Sequence, residues 1–297
     1  MVTPPAPVSP EAPAAGEPAP PASTAVAAVA QAGQTMAQTT QVAAHAVADA
    51  TRHAQATVQQ VAQQATVSPR RAVYRGRHFA AGFAVALAAL AFLAALARRY
   101  HILPGDVGVA RLIQNMDGAA YDWLMKLVSE LGWQWPSVLM RLTATAVSWN
   151  AGFRLEGAFI AATWSGDLLT MIIKDTVGRP RPTRRLVRVT YLLGEHSFPS
   201  GHVVHYVTFY GFLFYLLWSH LKQGAWRTLV LTLLAGLVLL IGPSRVYQGA
   251  HWPSDVSGAY LVGSLWLSVL IVAYLETKAR FQLVTVWPFL QHRARTL

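Results

Sequence analysis

From Phe79 to Ala97 the chain carries no charged side chain, and the run is about long enough for one helix to cross a bilayer. Comparable apolar runs fall near 203–221, 228–243 and 256–275. Two weaker ones lie near 136–153, interrupted by Arg141, and near 157–173, interrupted by Asp167. Together they predict an all-α fold, a polytopic membrane bundle of six transmembrane helices. Residues 100–134 mix apolar and polar positions at helical spacing, which predicts interfacial helices with Trp133 and Trp135 at the headgroup level.

The N-terminus has a different texture. Residues 1–23 are dense in Pro, Ala and Glu, which leaves little to bury and predicts disorder. Residues 24–67 are Ala, Gln, Thr and Val, a low-complexity tail with the propensity for at most a marginal helix. Met1 to Pro21 has no basic start and no apolar core, so it does not read as a secretory signal. The organisation expected is therefore a tail over 1–69, a transmembrane domain over 70–275 and a basic amphipathic segment over 276–297.

Composition narrows the class further. Apolar residues make up 54% of the chain and charged ones only 12%, about half the usual share in soluble proteins. The formal net charge of +11 comes mostly from arginines at the ends of apolar runs. That placement suits membrane anchors and anion sites; a nucleic-acid partner would call for a basic stripe on a soluble face, and none is present. Without cysteine there is no thiolate chemistry.

Charge also predicts orientation. Arg70, Arg71, Arg75 and Arg77 precede the first span and place that side in the cytoplasm, although Arg98 and Arg99 follow it. Counting six spans then puts both termini in the cytoplasm. Lys174, His202, Arg245 and Asp255 come to the ends of spans three to six on the outer face. A loop with Arg179, Arg181, Arg184, Arg185 and Arg188 lies on that face too, against the usual charge rule, and a bound anion would account for it.

Three stretches carry the chemistry: KDTVGRPRP (Lys174 to Pro182), PSGH (Pro199 to His202) and SRVYQGAHWPSD (Ser244 to Asp255). Lys174, Arg181 and Arg245 are cations for phosphate oxygens. Ser200 and Gly201 open an apolar run, where a helix N-terminus offers free N–H groups and the positive end of its dipole. His251 and Asp255 are four apart, the spacing of one helical face, so that Asp255 would fix the imidazole tautomer and leave the other nitrogen to attack phosphorus. Pro253 starts the helix between them and loosens that pairing. His202 would then protonate the leaving alkoxide. This set calls for no metal and no cofactor.

Taken together, K-x6-R-P, P-S-G-H and S-R-x5-H-x3-D resemble the motifs of the type 2 phosphatidic acid phosphatase superfamily. The resemblance covers about residues 80–275 and is met in full by Lys174, Arg181, Pro182, Pro199, Ser200, Gly201, His202, Ser244, Arg245, His251 and Asp255. It implies a six-helix membrane bundle and a metal-independent phosphohistidine mechanism, with His251 as nucleophile and His202 as acid. The same motifs also resemble vanadium-dependent haloperoxidases, which are soluble, and six apolar spans argue against those. A lipid-linked phosphate or diphosphate of the undecaprenyl pyrophosphate, phosphatidate or phosphatidylglycerol phosphate type is the expected substrate. A lipid phosphotransferase using the same phosphohistidine, or a catalytically silent binding protein, are the alternatives.

Four residues stand outside the motifs. Asp167 is expected to pair with a bundle arginine such as Arg141. His205 follows His202 by three residues without a third ligand and reads as a packing or hydrogen-bonding histidine. Glu195 and His196 precede PSGH and are candidates for headgroup contact or for a solvated loop.

Overall fold

The structure is a computed structural model that describes residues 69–294 except Asp117 and Glu195, with side chains from 76 to 281, and six isolated positions between 38 and 52. The expected N-terminal tail lies outside the described residues. The chain divides at Gly76 into two compact units, and everything below concerns the second.

Among the described residues every regular element is a helix. In chain order these are α1 (Pro69–Arg99), α2 (Asp106–Gln114), α3 (Ala119–Glu130), α4 (Gln134–Asn150), α5 (Arg154–Ala162) and α6 (Ser165–Val177). Then come α7 (201–220), α8 (Ala225–Tyr247) and α9 (Pro253–Ala294). Three segments, Gly76–Arg99, Ala225–Tyr247 and Pro253–Phe281, are long and apolar enough to cross a membrane. The run expected as one span over 157–173 is divided between α5 and α6 by a turn at Thr163 and Trp164. The last helix does not stop near 275 but continues to Ala294.

Helix α7 is the centre of the bundle. Val203, Val204, Tyr206, Phe209 and Phe212 are at most 1% exposed, and they pack against Ile241 of α8 and Ala259 and Val262 of α9. Its middle, Tyr206–Tyr210, is a π turn immediately after His205. A π turn widens a helix by one residue and recurs at functional sites. Two glycines let α9 approach closely: a Cβ on Gly263 would lie 2.7 Å from Val207, and one on Gly258 would lie 2.3 Å from Phe198. The α1 helix touches this core mainly through Leu90, Leu93, Ala94 and Ala97, around Val177 and Phe198.

Pro243 interrupts α8 one residue before the Ser244–Arg245 pair. Proline has no N–H, so the carbonyl four residues earlier, at Leu239, loses its helical donor. The Tyr260 hydroxyl of α9 lies 3.1 Å from that carbonyl and 2.8 Å from the carbonyl of Val238. Gly242 donates its N–H to the same hydroxyl at 3.2 Å, and any Cβ there would meet the ring at 2.8 Å. The break is thus closed by a side chain of the neighbouring helix, which holds the end of α8 against α9.

At the far end of α7 a second polar group ties three helices. Glu156 of α5 accepts from Tyr274 Oη at 2.7 Å and from Lys278 Nζ at 3.1 Å, both on α9, and lies 3.5 Å from His220 of α7. A bundle that lacks water in its core needs such paired groups wherever it buries a charge.

Candidate active site

Lys174 closes α6, His202 opens α7, Arg245 ends α8 and Asp255 opens α9, so the packing brings all three motifs to one end of the bundle. The expectation that they gather on one face is met. Which face of a membrane this is, the chain's charges alone address.

His251 lies in the turn between α8 and α9 and is 2% exposed. Its Nδ1–H donates to the carbonyl of Ser197 at 2.8 Å. That bond leaves Nε2 with its lone pair, and Arg181 Nη1 stands 3.3 Å from it. Arg181 is fixed in turn by the carbonyl of Ala250, at 2.8 Å. Burial, with Arg181 and Arg245 nearby, pushes the imidazole down to about 4, against the opposing pull of Asp255. It is therefore neutral at ordinary pH, as a nitrogen nucleophile must be.

Here the sequence reading needs a correction. Asp255 was expected to hold the imidazole directly, but its Oδ2 is 3.8 Å from Nδ1, beyond hydrogen-bond range. The reason is the one Pro253 suggested: the helix begins between the two residues, so four positions do not make one helical turn. Asp255 instead caps its own helix by accepting from Trp252 N–H at 2.8 Å, accepts from the Ser197 hydroxyl, and pairs with Arg179 Nη1 at 2.6 Å. Asp255 anchors Ser197, and Ser197 orients His251.

Arg179 corrects a second expectation. It belongs to the basic loop read as an anion site, yet it is 1% exposed and saturated from within. Besides Asp255 it pairs with Asp106 at 2.7 Å and donates to Ser254 Oγ and to the carbonyl of His101. Asp106 also accepts from the backbone and hydroxyl of Ser254 at 3.0 and 2.7 Å. This buried cluster pins α2, the 178–200 loop and α9 together. Asp106 escaped the sequence reading because α2 looked like a surface helix; its place one residue after a glycine was the available signal.

The other loop arginines diverge. Arg184, Arg185 and Arg188 are exposed and share a separate polar pocket with Arg111 of α2, away from His251. Arg188 also stacks over Tyr247, 4.4 Å from the ring centre. Of the five loop arginines, only Arg181 reaches the nucleophile.

Opposite His251, the PSGH segment supplies polar atoms with nothing to bond. Ser200 Oγ, His202 Nε2 and Arg245 Nε are all buried without a partner. Such groups are costly unless something polar completes them. Arg245 is held at its tip by Ser129 of α3. His202 is held by shape: a Cβ on Gly132 would lie 2.7 Å from its Cδ2, and Trp133 meets its ring edge-on. Gly249 performs the same service for His251; it has φ +66°, and a Cβ there would meet the carbonyl oxygen of Arg188 at 1.9 Å. Lys174, Gly201 and His202 line a cleft of about 350 Å³ that continues along α4 and α6.

Asp167 does pair with Arg141, through Nη1 at 2.5 Å and Nη2 at 3.1 Å, and Arg141 also donates to His205 Nδ1. His205 is a hydrogen-bonding histidine, as expected. His196 is exposed, and Glu195 lies outside the described residues.

A helical bundle whose apolar helices end in a cluster of cations, imidazoles and waiting donors has the design of a membrane phosphatase. Residues 156–279 match the PAP2 superfamily model. The chain is 31% identical over 180 residues to an undecaprenyl-diphosphatase of Sulfolobus acidocaldarius, which covers 58% of this chain and 79% of that protein. It is 32% identical over 136 residues to phosphatidylglycerophosphatase B of Bacillus subtilis, 42% of this chain and 64% of that protein, so just under two thirds of that relative is spanned. The crystal structure of a transmembrane PAP2 type phosphatidylglycerolphosphate phosphatase from Bacillus subtilis superposes with a TM-score of 0.58 at 20% identity, over 65% of this chain and 96% of that one, and shares its fold. The chain belongs to the PAP2 superfamily.

Proposed function

We propose that this chain hydrolyses a lipid-linked phosphate or diphosphate by way of a phosphohistidine on His251. The observation that carries the reading is the state of His251: Nδ1 is occupied by a carbonyl, and Nε2 is unprotonated and faces a guanidinium. In this reading the Nε2 lone pair attacks phosphorus, the bond to the leaving oxygen breaks, and His202 passes that oxygen a proton. Water then attacks the phosphohistidine while His202 takes the water proton, which releases phosphate and restores His251. Splitting the displacement in two lowers each barrier. Lys174, Arg181, Arg245, the Ser200 hydroxyl and the Gly201 N–H meet the charge on the phosphoryl oxygens. Buried donors aimed at developing charge are each worth about 3–4 kcal/mol.

The bundle crosses the membrane six times, as α1, α4, the α5–α6 pair, α7, α8 and α9. Arg154, Lys222, Arg227 and Lys278 mark the end away from the site. By the positive-inside rule that end is cytoplasmic, both termini with it, and the site faces outward. The substrates of the two named relatives, a prenyl diphosphate and a glycerol-based lipid phosphate, define the range to test.

The deciding experiment is phosphate release by detergent-solubilised protein from a panel of lipid phosphates and diphosphates, with His251→Ala as control. Release that the substitution abolishes in a folded protein is the expected result. Full activity in His251→Ala overturns the mechanism. Transfer to an acceptor lipid without phosphate release makes the protein a phosphotransferase.

A further inference from the structure

The cleft beside the phosphate site has a second polar wall. Its lining includes Lys174, Gly201 and His202 at one end, and Asp167 and His205 further along. Thr170, Met171 and Trp164 complete much of the surface between. An ionisable side chain at this depth of a bundle is unusual, and neither group takes part in the phosphoryl transfer described above.

The protonation of His205 follows from its partner. Arg141 is fully buried and its guanidinium only donates, so the ring nitrogen it meets, Nδ1, must carry the lone pair. The proton of the neutral ring therefore sits on Nε2. That Nε2 is buried and has no hydrogen-bond partner, although His205 itself lines the cleft. Stacking on Phe209, at 5.5 Å between ring centres, holds the ring in place. Beside this unused donor is an acceptor with spare capacity. Asp167 is bonded to Arg141 at both oxygens, but its side chain is 42% exposed, and a carboxylate has about four acceptor positions.

A donor and an acceptor side by side match a hydroxyl, which needs one of each. His205 follows His202 by three residues, about 4.5 Å along the helix. That is the separation between a phosphate ester and a hydroxyl on the second carbon from its bridging oxygen. An anionic group fits less well, because Asp167 presents a carboxylate to the cleft while Arg141 is wholly behind it.

We propose that Asp167 and His205 form a hydroxyl-binding subsite that selects phosphate monoesters of glycerol-type lipids over prenyl diphosphates. The subsite rests on the phosphatase reading above and narrows its substrate class. Asp167 and His205 position the substrate and do not touch the reacting atoms, and Arg141 fixes both.

The test compares kcat/KM for 1-oleoylglycerol 3-phosphate, its analogue lacking the 2-hydroxyl, and farnesyl diphosphate, in the full-length protein and in Asp167→Asn, His205→Leu and His205→Gln. The unsubstituted protein should prefer the hydroxylated monoester to its deoxy analogue by ~10-fold or more, the loss expected when one or two buried hydrogen bonds go unmade. Asp167→Asn and His205→Leu should bring that ratio toward one, and His205→Gln, which keeps an N–H donor, should restore much of it. A ratio near one in the unsubstituted protein overturns the subsite. So does an equal fall on both monoesters in the variants, which marks a purely structural role, or a preference for farnesyl diphosphate. If His205→Leu fails to fold, the isosteric Asp167→Asn still decides. Absence of turnover on all three lipids brings down the phosphatase reading itself, and the subsite with it.

Discussion

Asp255 and His251 are neighbours that do not bond: 3.8 Å separates carboxylate from imidazole, and Ser197 bridges them with its hydroxyl on one side and its carbonyl on the other. The carboxylate thus acts on the nucleophile through a backbone segment. Removing the Ser197 side chain leaves the carbonyl in place, so the two contributions can be separated. Ser197→Ala should lower kcat by about tenfold or less and cost about 1–2 kcal/mol of stability, the range for a hydrogen bond to a charged group. Asp255→Asn should cost more on both counts, because Arg179 then loses a buried partner, at about 3–5 kcal/mol. Denaturation curves and steady-state kinetics on both variants check this. A silent Ser197→Ala beside a dead but fully stable Asp255→Asn would favour a direct contact between carboxylate and imidazole.

The pH dependence follows from His251. Its folded value is lowered, to about 4 from the ordinary 6.5. The stability linked to it is therefore fully present above about 6.5 and is lost as pH falls through 4, where the buried ring must take a charge. The acid limb of kcat/KM, corrected for ionisation of the substrate, should lie near 4, since that parameter reports the free enzyme. A limb near 6.5 would mean that His251 is solvated in the working protein.

Arg179 and Arg184 share a loop and a charge but not a role. Arg179→Gln breaks pairs with both Asp106 and Asp255 and should destabilise the fold by at least about 3 kcal/mol. Arg184→Gln, on the exposed side, should stay within about 0.5 kcal/mol. Thermal melting in one detergent distinguishes the two directly.

Gly132 faces His202 from the start of α4. Gly132→Ala puts a methyl 2.7 Å from the ring, and the ring must move. A displacement of about an ångström in a catalytic group costs on the order of 100-fold in rate, so kcat should fall steeply while the fold is kept. Retention of full activity would show that His202 tolerates a different position, or is not the proton donor.

Much of this was legible in the chain. Apolar runs located the helices because burial in lipid or in a core is set by side-chain chemistry that needs no partner to be read. Lys174, His202, Arg245 and Asp255 were placed together because each stands at the end of such a run, and the ends of antiparallel helices alternate between two levels. Glycines without an evident turn were less readable. Gly132 and Gly258 matter for the ring that approaches them from another helix, and the sequence does not say which ring that is.

What the sequence determined by itself was thus the list of reactive groups, their order and the end of the bundle they share, since periodicity and hydropathy are local properties. Only the tertiary structure decided which cation serves the site and which is consumed in holding it. Arg179 and Arg181 are two residues apart, yet one is buried between Asp106 and Asp255 and the other faces Nε2 of His251. The same holds for the partner of His251, where four residues of spacing pointed to Asp255 and packing supplied a carbonyl from Ser197. Pairings of this kind depend on segments that meet only when the chain folds, and the physics that selects them, burial of a charge that must find its counterpart, acts through space and not along the chain.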